Sequence, residues 1–545
     1  MANFVDPKTG FCSKTMTFHS LRPPVPLPPE SAPISLTDFI FYLLNSSPPA
    51  PTAVALIDAT TRRRILYPEL ISRVNNLAAS LRTHFGLSKG DCAFVFSPNN
   101  IYTPILCLSL FSLGVVVSPA NPAATIPEIH HQIRLSKPVI AFASLDSDHK
   151  IPSLKYGTAI MDSVEFESLM VNRSEKKKQE GIKVNQSDVA TILYSSGTTG
   201  RVKGVALTHH NWTATIATGY SLRPMRKCPT VAFCPVPLFH VYGLAYSLRL
   251  LATGNCVVIN GGGGRLDMKK IYDIVEEYRV SQVALAPPLV VTMVRDAGMM
   301  EGCDLSSLEV ISCGGAHLSK SKIERLRKRL PKVQLAQAYG LTETTGRVFA
   351  TMGPHESQIE GATGKLMANC EAKIVDPETA VALPPSKPGE LWIRGALVMK
   401  GYVDNEEATA ATVDSEGWLR TGDLCYIDNE GFLFFVDRLK ELIKYKGYQV
   451  APAELEHLLN SHPDVVDSAV VPFPDEEAGQ VPVAFVVRQS GSNIDESEIK
   501  HFVARQVSQY KRIRRVIFID SLPKNASGKV LRKELVELSS ATSKL

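Results

Sequence analysis

Short runs of β-branched and aromatic residues alternate with longer segments of helical periodicity along most of this sequence. A strand is predicted at Val54–Ala59 and a helix at Tyr67–Phe85, and a second pair follows at Asp91–Ser97 and Ile101–Ala120. Strands that alternate with helices form parallel sheets, because each helix returns the chain to the edge where the strand began. The pattern therefore predicts an α/β fold with largely parallel sheets. Further strands of this kind are predicted at Val139–Ala143, Val231–Val236, Cys256–Asn260 and Gln282–Pro287.

The sequence changes character after about Gly361, where short strands are separated by Gly, Pro and Asp turns. This pattern predicts a small β-rich subdomain. After Asp437 helical and strand patterns are again mixed, with a helix at Pro452–Ser461 and strands at Val465–Val471 and Val481–Val487. A chain of 545 residues has room for about two to four domains.

The segment Ile101–Ala120 contains twenty residues without a charge, which is the length of a membrane span. Pro104, Gly114 and three serines interrupt it, and its last part is rich in valine. We interpret it as a buried helix followed by a buried strand of the α/β domain. The chain is therefore predicted not to span a membrane.

Charge and cysteine content exclude two further classes. The 59 basic and 54 acidic residues give a net charge of +5, too small an excess to indicate a nucleic-acid partner. The ten cysteines are scattered, without a CxxC pair or a Cys/His cluster at metal-ligand spacing. We expect free thiols in a reducing compartment.

The ten residues Ser195–Gly204 hold four hydroxyl side chains, three glycines, one arginine and one lysine. They follow an apolar strand pattern at Val189–Tyr194. Glycines let the backbone N–H groups approach a ligand, and the hydroxyls and Lys203 add donors and a positive charge, so the stretch suits a polyphosphate. It is not a Walker loop, because the lysine comes three positions after Gly200. From composition alone, a flexible surface loop is an equally good interpretation.

The order of these residues resembles the phosphate-binding loop of the adenylate-forming superfamily, which contains acyl-CoA synthetases, firefly luciferases and peptide-synthetase adenylation domains. The resemblance extends from the Leu21–Pro24 arm to the final tripeptide and is strongest to plant 4-coumarate-CoA ligases and their peroxisomal relatives. It implies a large N-terminal domain, residues 1–436, with two α/β subdomains and a small β-rich subdomain. A hinge at 437–440 and a small, mobile α+β C-terminal domain at 441–545 complete the implied architecture.

Two motifs resemble the family's adenine and magnesium elements. In Gln337–Thr345, the resemblance gives Glu343 to Mg2+ and Thr342 to the α-phosphate; a helix cap is the structural alternative. Ser312–Leu318 matches the strand end that packs on adenine, although a tight turn would need the same small residues. The residues that the resemblance assigns to ATP or AMP are Ser195, Ser196, Gly197, Thr198, Thr199, Gly200, Lys203, Gly315, Ala316, Gln337, Ala338, Tyr339, Gly340, Thr342, Asp423, Arg438, Lys440, Lys444 and Lys529.

Two further motifs concern the ribose and the hinge. Asp423 is a double acceptor suited to the two ribose hydroxyls, which the resemblance has it share with Arg438; alone it would indicate only a turn. The stretch Val436–Gly447 resembles the hinge, with Lys440 as pivot. As a bare charge pattern it also fits an amphipathic solvated helix.

The resemblance also implies the catalytic groups and the co-substrate. Lys529 would neutralise charge while the acid's carboxylate attacks the α-phosphate, and the small domain would then rotate so that Tyr445–Gly447 replace the Lys529 loop. Without the resemblance, Lys529 is an ordinary exposed lysine and His240 a core histidine. The catalytic assignments are Lys529, Lys203, Thr198 and His240, and those for coenzyme A are Arg265, Lys446 and Gly447.

The acid is the least constrained element. The resemblance places His240, Tyr242, Ser312, Gly315, Gly340 and Arg347 around the acyl group. Thr344–Arg347 stands where coumarate ligases have Ala-Gly-Pro-Val, and Ser312 stands where some of them have lysine. Arg347 either contacts a distal polar group of the acid or forms a surface ion pair.

These assignments predict an AMP-forming acid–CoA ligase that uses ATP, Mg2+ and coenzyme A. The expected acid is a phenylpropanoid such as 4-coumarate or cinnamate. Alternatives are medium- or long-chain fatty acids or oxylipin acids of the jasmonate-precursor type, and, more remotely, a luciferase-like oxygenase or a noncatalytic scaffold. The last residues, Ser543, Lys544 and Leu545, form the tripeptide that the peroxisomal import receptor binds, so a peroxisomal location is predicted.

Overall fold

The computed structural model describes residues 4–171, 182–195, 202–224, 226, 228–261, 267–295, 297–315, 318, 320–446, 448–524 and 528–542. Within these residues the chain forms four sheets flanked by helices. The helices span Leu36–Ser46, Tyr67–His84, Tyr102–Ser112, Ile126–Ser136, Val164–Ser168, His209–Ser221, Val241–Ala252, Met268–Glu277, Pro287–Arg295, Lys320–Arg329, Gly353–Ser357, Glu406–Thr412, Pro452–Leu459, Glu496–Ala504 and Arg532–Thr542.

Two large sheets have parallel centres, which confirms the predicted α/β class; both edges of the nine-stranded sheet and one edge of the seven-stranded sheet are antiparallel. The seven-stranded sheet has the spatial order Gly401–Tyr402, Lys203–Thr208, Val189–Ser195, Val116–Pro119, Cys92–Phe96, Ile140–Ala143, Thr158–Ile160. The nine-stranded sheet has the order Lys365–Leu366, Gly346–Ala350, Gln334–Leu341, Val310–Gly314, Gln282–Leu285, Val231–Phe233, Cys256–Ile259, Val54–Asp58, Arg64–Leu66.

The other two sheets are mainly antiparallel. The β-rich sheet predicted after Gly361 also takes in two N-terminal strands, in the order Phe11–Cys12, Thr17–His19, Cys370–Val375, Gly389–Gly395, Leu419–Ile427, Leu433–Arg438. The C-terminal sheet has the order Tyr448–Val450, Ile443–Tyr445, Gly479–Arg488, Val465–Asp475, and Arg515–Phe518 pairs with Gly479–Arg488.

The main apolar core contains the uncharged segment. Its helix, Tyr102–Ser112, is buried on every face, and the strand Val116–Pro119 that follows is buried as well. In the described residues, no helix combines the length and the apolar character that a membrane crossing requires. All ten cysteines are free.

The described residues 436–446 of the stretch Val436–Gly447 do not form the amphipathic helix that the charge pattern allowed. The strand Leu433–Arg438 pairs with Leu419–Ile427 and is followed by a short 3-10 turn and the strand Ile443–Tyr445. Pairing with the strand Leu419–Ile427 outweighs the helical spacing of the charges. The predicted hinge at 437–440 therefore lies where the chain leaves the β-rich sheet.

Candidate nucleotide and acyl site

A cavity of about 790 Å3, here the large cavity, opens between the two parallel sheets, the β-rich sheet and the C-terminal segment. It brings together residues that lie up to 410 positions apart, from Pro119 to Lys529. The predicted site residues that line it are Ser195, Lys203, His240, Gly315, Gly340, Thr342, Glu343, Arg438 and Lys529.

The glycine-rich stretch joins two antiparallel strands. Ser195 ends one strand and lies opposite Lys203, which begins the next. Because directly opposed residues of an antiparallel pair point to the same side of the sheet, both side chains face the large cavity. Lys203 Nζ lies 4.5 Å from the centre of the Tyr402 ring, which is within cation–π range.

Several predicted residues lie outside the described part of the chain. Among them are the hydroxyls and glycines between the two strands, so their predicted contacts stay predictions. These residues are Ser196, Gly197, Thr198, Thr199, Gly200, Arg265, Ala316, Gly447 and the tripeptide Ser543, Lys544 and Leu545.

Glu343 is held by two neutral hydroxyls at the edge of the large cavity. Ser195 Oγ donates to Glu343 Oε1 at 2.8 Å, and Tyr402 Oη donates to the same oxygen at 3.0 Å. Mg2+ is often bound through one or two carboxylates together with substrate phosphates and water. Among the described residues no group of three or more His, Cys, Asp and Glu side chains could hold a metal. One oriented carboxylate therefore fits a cation shared with phosphates and does not fit an all-protein metal cage.

Asp423 lies opposite Arg438 on neighbouring strands of the β-rich sheet. Its side chain is only 1% exposed; Oδ1 lies 3.2 Å from Arg438 Nε, and Oδ2 accepts a hydrogen bond from Tyr339 Oη at 2.7 Å. Burial raises the pKa of Asp423, whereas Arg438 and Tyr339 oppose that shift. Oδ1 accepts no hydrogen bond from the described residues. A buried acceptor without a donor is costly, so this atom suits a ligand hydroxyl.

Lys529 reaches the large cavity from the C-terminal part of the chain. Burial lowers its pKa to about 8, and the neighbouring charges of Arg438 and Lys440 act in the same direction. Gly528 has φ +81°, and a Cβ there would lie 2.3 Å from Pro288 Cγ, so the approach of this segment requires glycine.

The arrangement is held by ion pairs outside the cavity. Asp467 of the C-terminal sheet pairs with Lys524 at 2.6 Å and with Lys322, on the helix Lys320–Arg329, at 3.3 Å. Arg532 pairs with Glu441 at 2.7 Å. These contacts fix the C-terminal segment in a position that puts Lys529 beside Arg438 and Asp423.

A second cavity of about 110 Å3, here the small cavity, adjoins the large one. His240, Gly315 and Gly340 line both cavities and so mark the junction. All six residues predicted to surround the acyl group line the small cavity, namely His240, Tyr242, Ser312, Gly315, Gly340 and Arg347.

His240 stands at the start of the helix Val241–Ala252. Its Nδ1 accepts a hydrogen bond from the Tyr242 backbone N–H at 3.2 Å, and burial lowers the pKa of the imidazole. His240 is therefore neutral at physiological pH. Tyr242 Oη donates to the Ser312 carbonyl at 2.8 Å, which fixes its ring as a wall of the small cavity.

Four predicted nucleotide ligands and one residue predicted for coenzyme A, named below, do not line the large cavity. The Gln337 side chain donates to the Ala362 carbonyl at 3.0 Å, and the residue lines the small cavity. Lys444 and Lys446 are exposed and line neither cavity in this arrangement. Ala338 and Tyr339 line the small cavity and also a third cavity, which lies between the N-terminal domain and the C-terminal segment.

Sequence reasoning missed Tyr246, Arg249 and Tyr402. Tyr246 and Arg249 follow Tyr242 by four and seven residues on one helix, so helical periodicity places all three on one face, and the small cavity is lined by all three. Tyr402 belongs to a two-residue strand that pairs with Val205. No local pattern in the sequence indicates that pairing.

This fold and site define a class: the chain belongs to the AMP-binding enzyme family. The family's sequence model matches residues 46–403, and the model of the AMP-binding enzyme C-terminal domain matches residues 454–529. The large N-terminal and small C-terminal domain architecture is that of adenylate-forming enzymes.

Individual relatives are similar over their whole length. The chain is 47% identical to 4-coumarate–CoA ligase-like 9 of Arabidopsis thaliana, covering 98% of this chain and 97% of the relative. It is 44% identical to peroxisomal OPC-8:0-CoA ligase 1 of the same plant, covering 99% and 100%. The crystal structure of ATP-bound MatB from Rhodopseudomonas palustris superposes with a TM-score of 0.83 at 26% identity, covering 93% and 99%. The chain is thus an acid–CoA ligase of this family.

Proposed function

We propose that this ligase converts a compact aromatic acid of the phenylpropanoid type, such as 4-coumarate or cinnamate, through its acyl adenylate to the CoA thioester. The observation that carries the proposal is the junction at His240, Gly315 and Gly340, where the cavity with Lys203, Glu343 and Lys529 meets the smaller aromatic cavity. An acid in the small cavity would direct its carboxylate toward the phosphates of a nucleotide in the large one.

The first half-reaction forms one bond and breaks one. A carboxylate oxygen of the acid attacks the α-phosphorus of ATP, and the bond to pyrophosphate breaks, so acyl-AMP forms. Lys203 and Lys529 neutralise the phosphate charge, and the Thr342 hydroxyl donates to the α-phosphate. Glu343 would hold Mg2+, which, when bound, offsets the charge of the leaving pyrophosphate.

In the second half-reaction the thiol of CoA attacks the acyl carbon and expels AMP. Lys529 occupies the side from which the thiol would approach, so the C-terminal domain has to move between the two steps. We place the pivot at Lys440 within 437–440, and assign Lys446, Gly447 and Arg265 to CoA. The exposure of Lys446 in the present arrangement is compatible with a role that begins only after the rotation.

The size of the small cavity supports a compact acid. Its volume of about 110 Å3 is of the same order as an engineered cavity of about 150 Å3 that binds benzene. The rings of Tyr242 and Tyr246 meet edge to face at 6.3 Å, which offers aromatic walls to a planar ring. A long aliphatic chain would need more room.

An oxylipin or fatty acid is the second candidate. The name of the peroxisomal OPC-8:0-CoA ligase relative favours it, and so does Arg347, which offers a donor to a distal carbonyl. That name and the Ser543, Lys544 and Leu545 tripeptide also support a peroxisomal location.

The test is a product assay on the purified enzyme with ATP, Mg2+, CoA and a panel of cinnamic, coumaric, benzoic, medium-chain and cyclopentanone-type acids. AMP, pyrophosphate and an acyl-CoA thioester are expected, fastest with 4-coumarate or cinnamate. Formation of ADP would contradict the proposed chemistry. Light emission or oxygen uptake with an acid but without CoA would favour the oxygenase, and no AMP with any acid would favour a scaffold.

A further inference from the structure

Two arginine side chains line the small cavity, a feature that the reaction itself does not require. Arg249 lies on the helix Val241–Ala252, two turns beyond His240, and Arg347 lies on the strand Gly346–Ala350. Both line the small cavity and neither lines the large one, whereas His240 lines both. The two guanidinium groups therefore belong to the part of the acyl site that is remote from the nucleotide.

Neither arginine pairs with a carboxylate in the described part of the chain. No aspartate or glutamate lines the small cavity. Glu356, on the helix after the Arg347 strand, already receives two hydrogen bonds from Arg22, at 2.7 and 3.2 Å. The Arg249 guanidinium lies over the Tyr246 ring, 5.5 Å from its centre, which is within cation–π range.

Arg347 is surrounded by positive charges and has no negative charge beside it in the described part of the chain. Burial, together with the positive charges of Arg249 and Arg22, lowers the pKa of Arg347 to about 9. At neutral pH the group still carries its proton. Two like charges thus share a cavity whose walls are mainly apolar.

The backbone makes room for the Arg249 side chain. At Gly219, on the helix His209–Ser221, a Cβ would lie 2.4 Å from Arg249 Cδ, so glycine leaves space for the stem of this arginine. Arg347 reaches the same cavity from the strand Gly346–Ala350, where it lies opposite Gly340.

An unpaired guanidinium in an apolar cavity costs folding free energy, and an anion that forms two parallel hydrogen bonds with it recovers that cost. A carboxylate does this better than a hydroxyl or a ketone, because it brings the opposite charge. Two arginines without counter-ions therefore indicate an anionic ligand.

We propose that the acid carries a second carboxylate at the end remote from the reacting one, and that Arg249 and Arg347 bind this group. The proposal rests on the proposed ligase function and changes its preferred substrate from 4-coumarate or cinnamate to an acid of similar size with a second, distal carboxylate, such as a cinnamic acid that carries a carboxylate on its ring. Charge at the distal end then decides specificity, while the ring or chain fills the space between Tyr242 and Tyr246.

The test compares acids that share one skeleton and differ only at the distal group. Cinnamate, 4-coumarate, 4-carbamoylcinnamate and 4-carboxycinnamate form one series, and hexanoate, adipic acid monoamide and adipate form another. The amide and the carboxylate have nearly the same shape, so their ratio isolates charge. We expect kcat/KM for AMP formation to be at least tenfold higher for the carboxylate than for the amide in at least one series, mostly through KM.

The variants Arg249→Met and Arg347→Met should each bring that ratio of kcat/KM for carboxylate over amide toward one. Arg279→Met, at an exposed arginine that pairs with Asp304, is the matched control and should keep the ratio. Equal rates for the amide and carboxylate forms in both series would overturn the proposal, as would an unchanged ratio in both variants. If the variants do not fold, the ratio in the unmodified enzyme decides alone.

Binding of the same acids, measured by calorimetry without ATP, separates this inference from the ligase function. Charge-dependent binding that disappears in Arg347→Met, with no AMP from any acid, would reject the ligase function and keep the arginine site. AMP formation from neutral acids with no preference for the second carboxylate would do the reverse.

Discussion

The large and the small cavity treat charge in opposite ways. In the large cavity the lining residue Arg438 is matched by the buried Asp423, which also accepts a hydrogen bond from Tyr339, and Glu343 is held by Ser195 and Tyr402. In the small cavity Arg249 and Arg347 have no acidic partner among the described residues. Matched charges hold the side chains of a site in a fixed geometry, which suits a nucleotide that the whole family uses. Unmatched charges leave recognition to be completed by the substrate, which is where relatives differ.

The largest expected effect concerns the half-reaction that the two cavities share. Lys529→Ala should lower the rate of acyl-AMP formation by a factor of about 10²–10³. The substitution removes a positive charge that stabilises the transition state more than the bound substrates. Thioester synthesis from preformed acyl-AMP should change little. Lys533→Ala, on the following helix, is the control. Single-turnover assays of each half-reaction measure the two effects, and an equal loss in both would reject the division of roles.

The contrast between matched and unmatched charge predicts opposite stability changes for one kind of substitution. Arg438→Met should destabilise the protein by about 2–3 kcal/mol, because it leaves Asp423 buried without its counter-charge. The partial exposure of Arg438 keeps the loss at this moderate size. Arg347→Met should stabilise it by about 1 kcal/mol, since it removes a buried charge that has no partner.

Urea unfolding without substrates, followed by a probe of the N-terminal domain, measures both changes. The double variant Asp423→Asn with Arg438→Met should recover part of the loss. A stability loss in Arg347→Met as large as that in Arg438→Met would mean that Arg347 has a partner, and the contrast between the cavities would fail.

The smallest expected effect is a pH dependence. The pKa of Lys529 is lowered to about 8, so the side chain loses its proton as the pH rises through that value. The kcat/KM of acyl-AMP formation for ATP should therefore fall about tenfold between pH 7 and pH 9. In Lys529→Arg the guanidinium keeps its proton, so the residual activity should stay level over that range. If kcat/KM in Lys529→Arg fell with pH around the same midpoint, the titrating group would not be Lys529.

Local patterns predicted the parts of the fold that depend on local sequence. The alternation of strands and helices gave the parallel centres of both large sheets, and Ile101–Ala120 was correctly divided into a helix and a strand. The charge pattern of Val436–Gly447 allowed a helix, and that interpretation is wrong for this segment. Helical spacing takes no account of the strand Leu419–Ile427, with which the start of the segment pairs. Pairing partners distant in sequence decided the outcome.

The same limit applies to the candidate site. The resemblance supplied six residues from four segments that the structure gathers around the small cavity, and no spacing rule could have gathered them. Arg249 was missed although it shares a helix face with Tyr242, because an arginine near a helix end usually points to solvent. Tyr402 was missed because its role depends on pairing with Val205. The contacts predicted for Thr198 and Arg265 stay predictions.

Asp467 has a consequence for the proposed domain rotation. Its carboxylate is shared by Lys524, from its own domain, and Lys322, from the other. When the C-terminal domain turns away, the pair with Lys322 breaks but Lys524 travels with the carboxylate and keeps it neutralised. The pair with Lys322 can therefore break without leaving Asp467 uncompensated at the surface where the domains separate, and added salt should favour that separation by screening the attraction between Asp467 and Lys322.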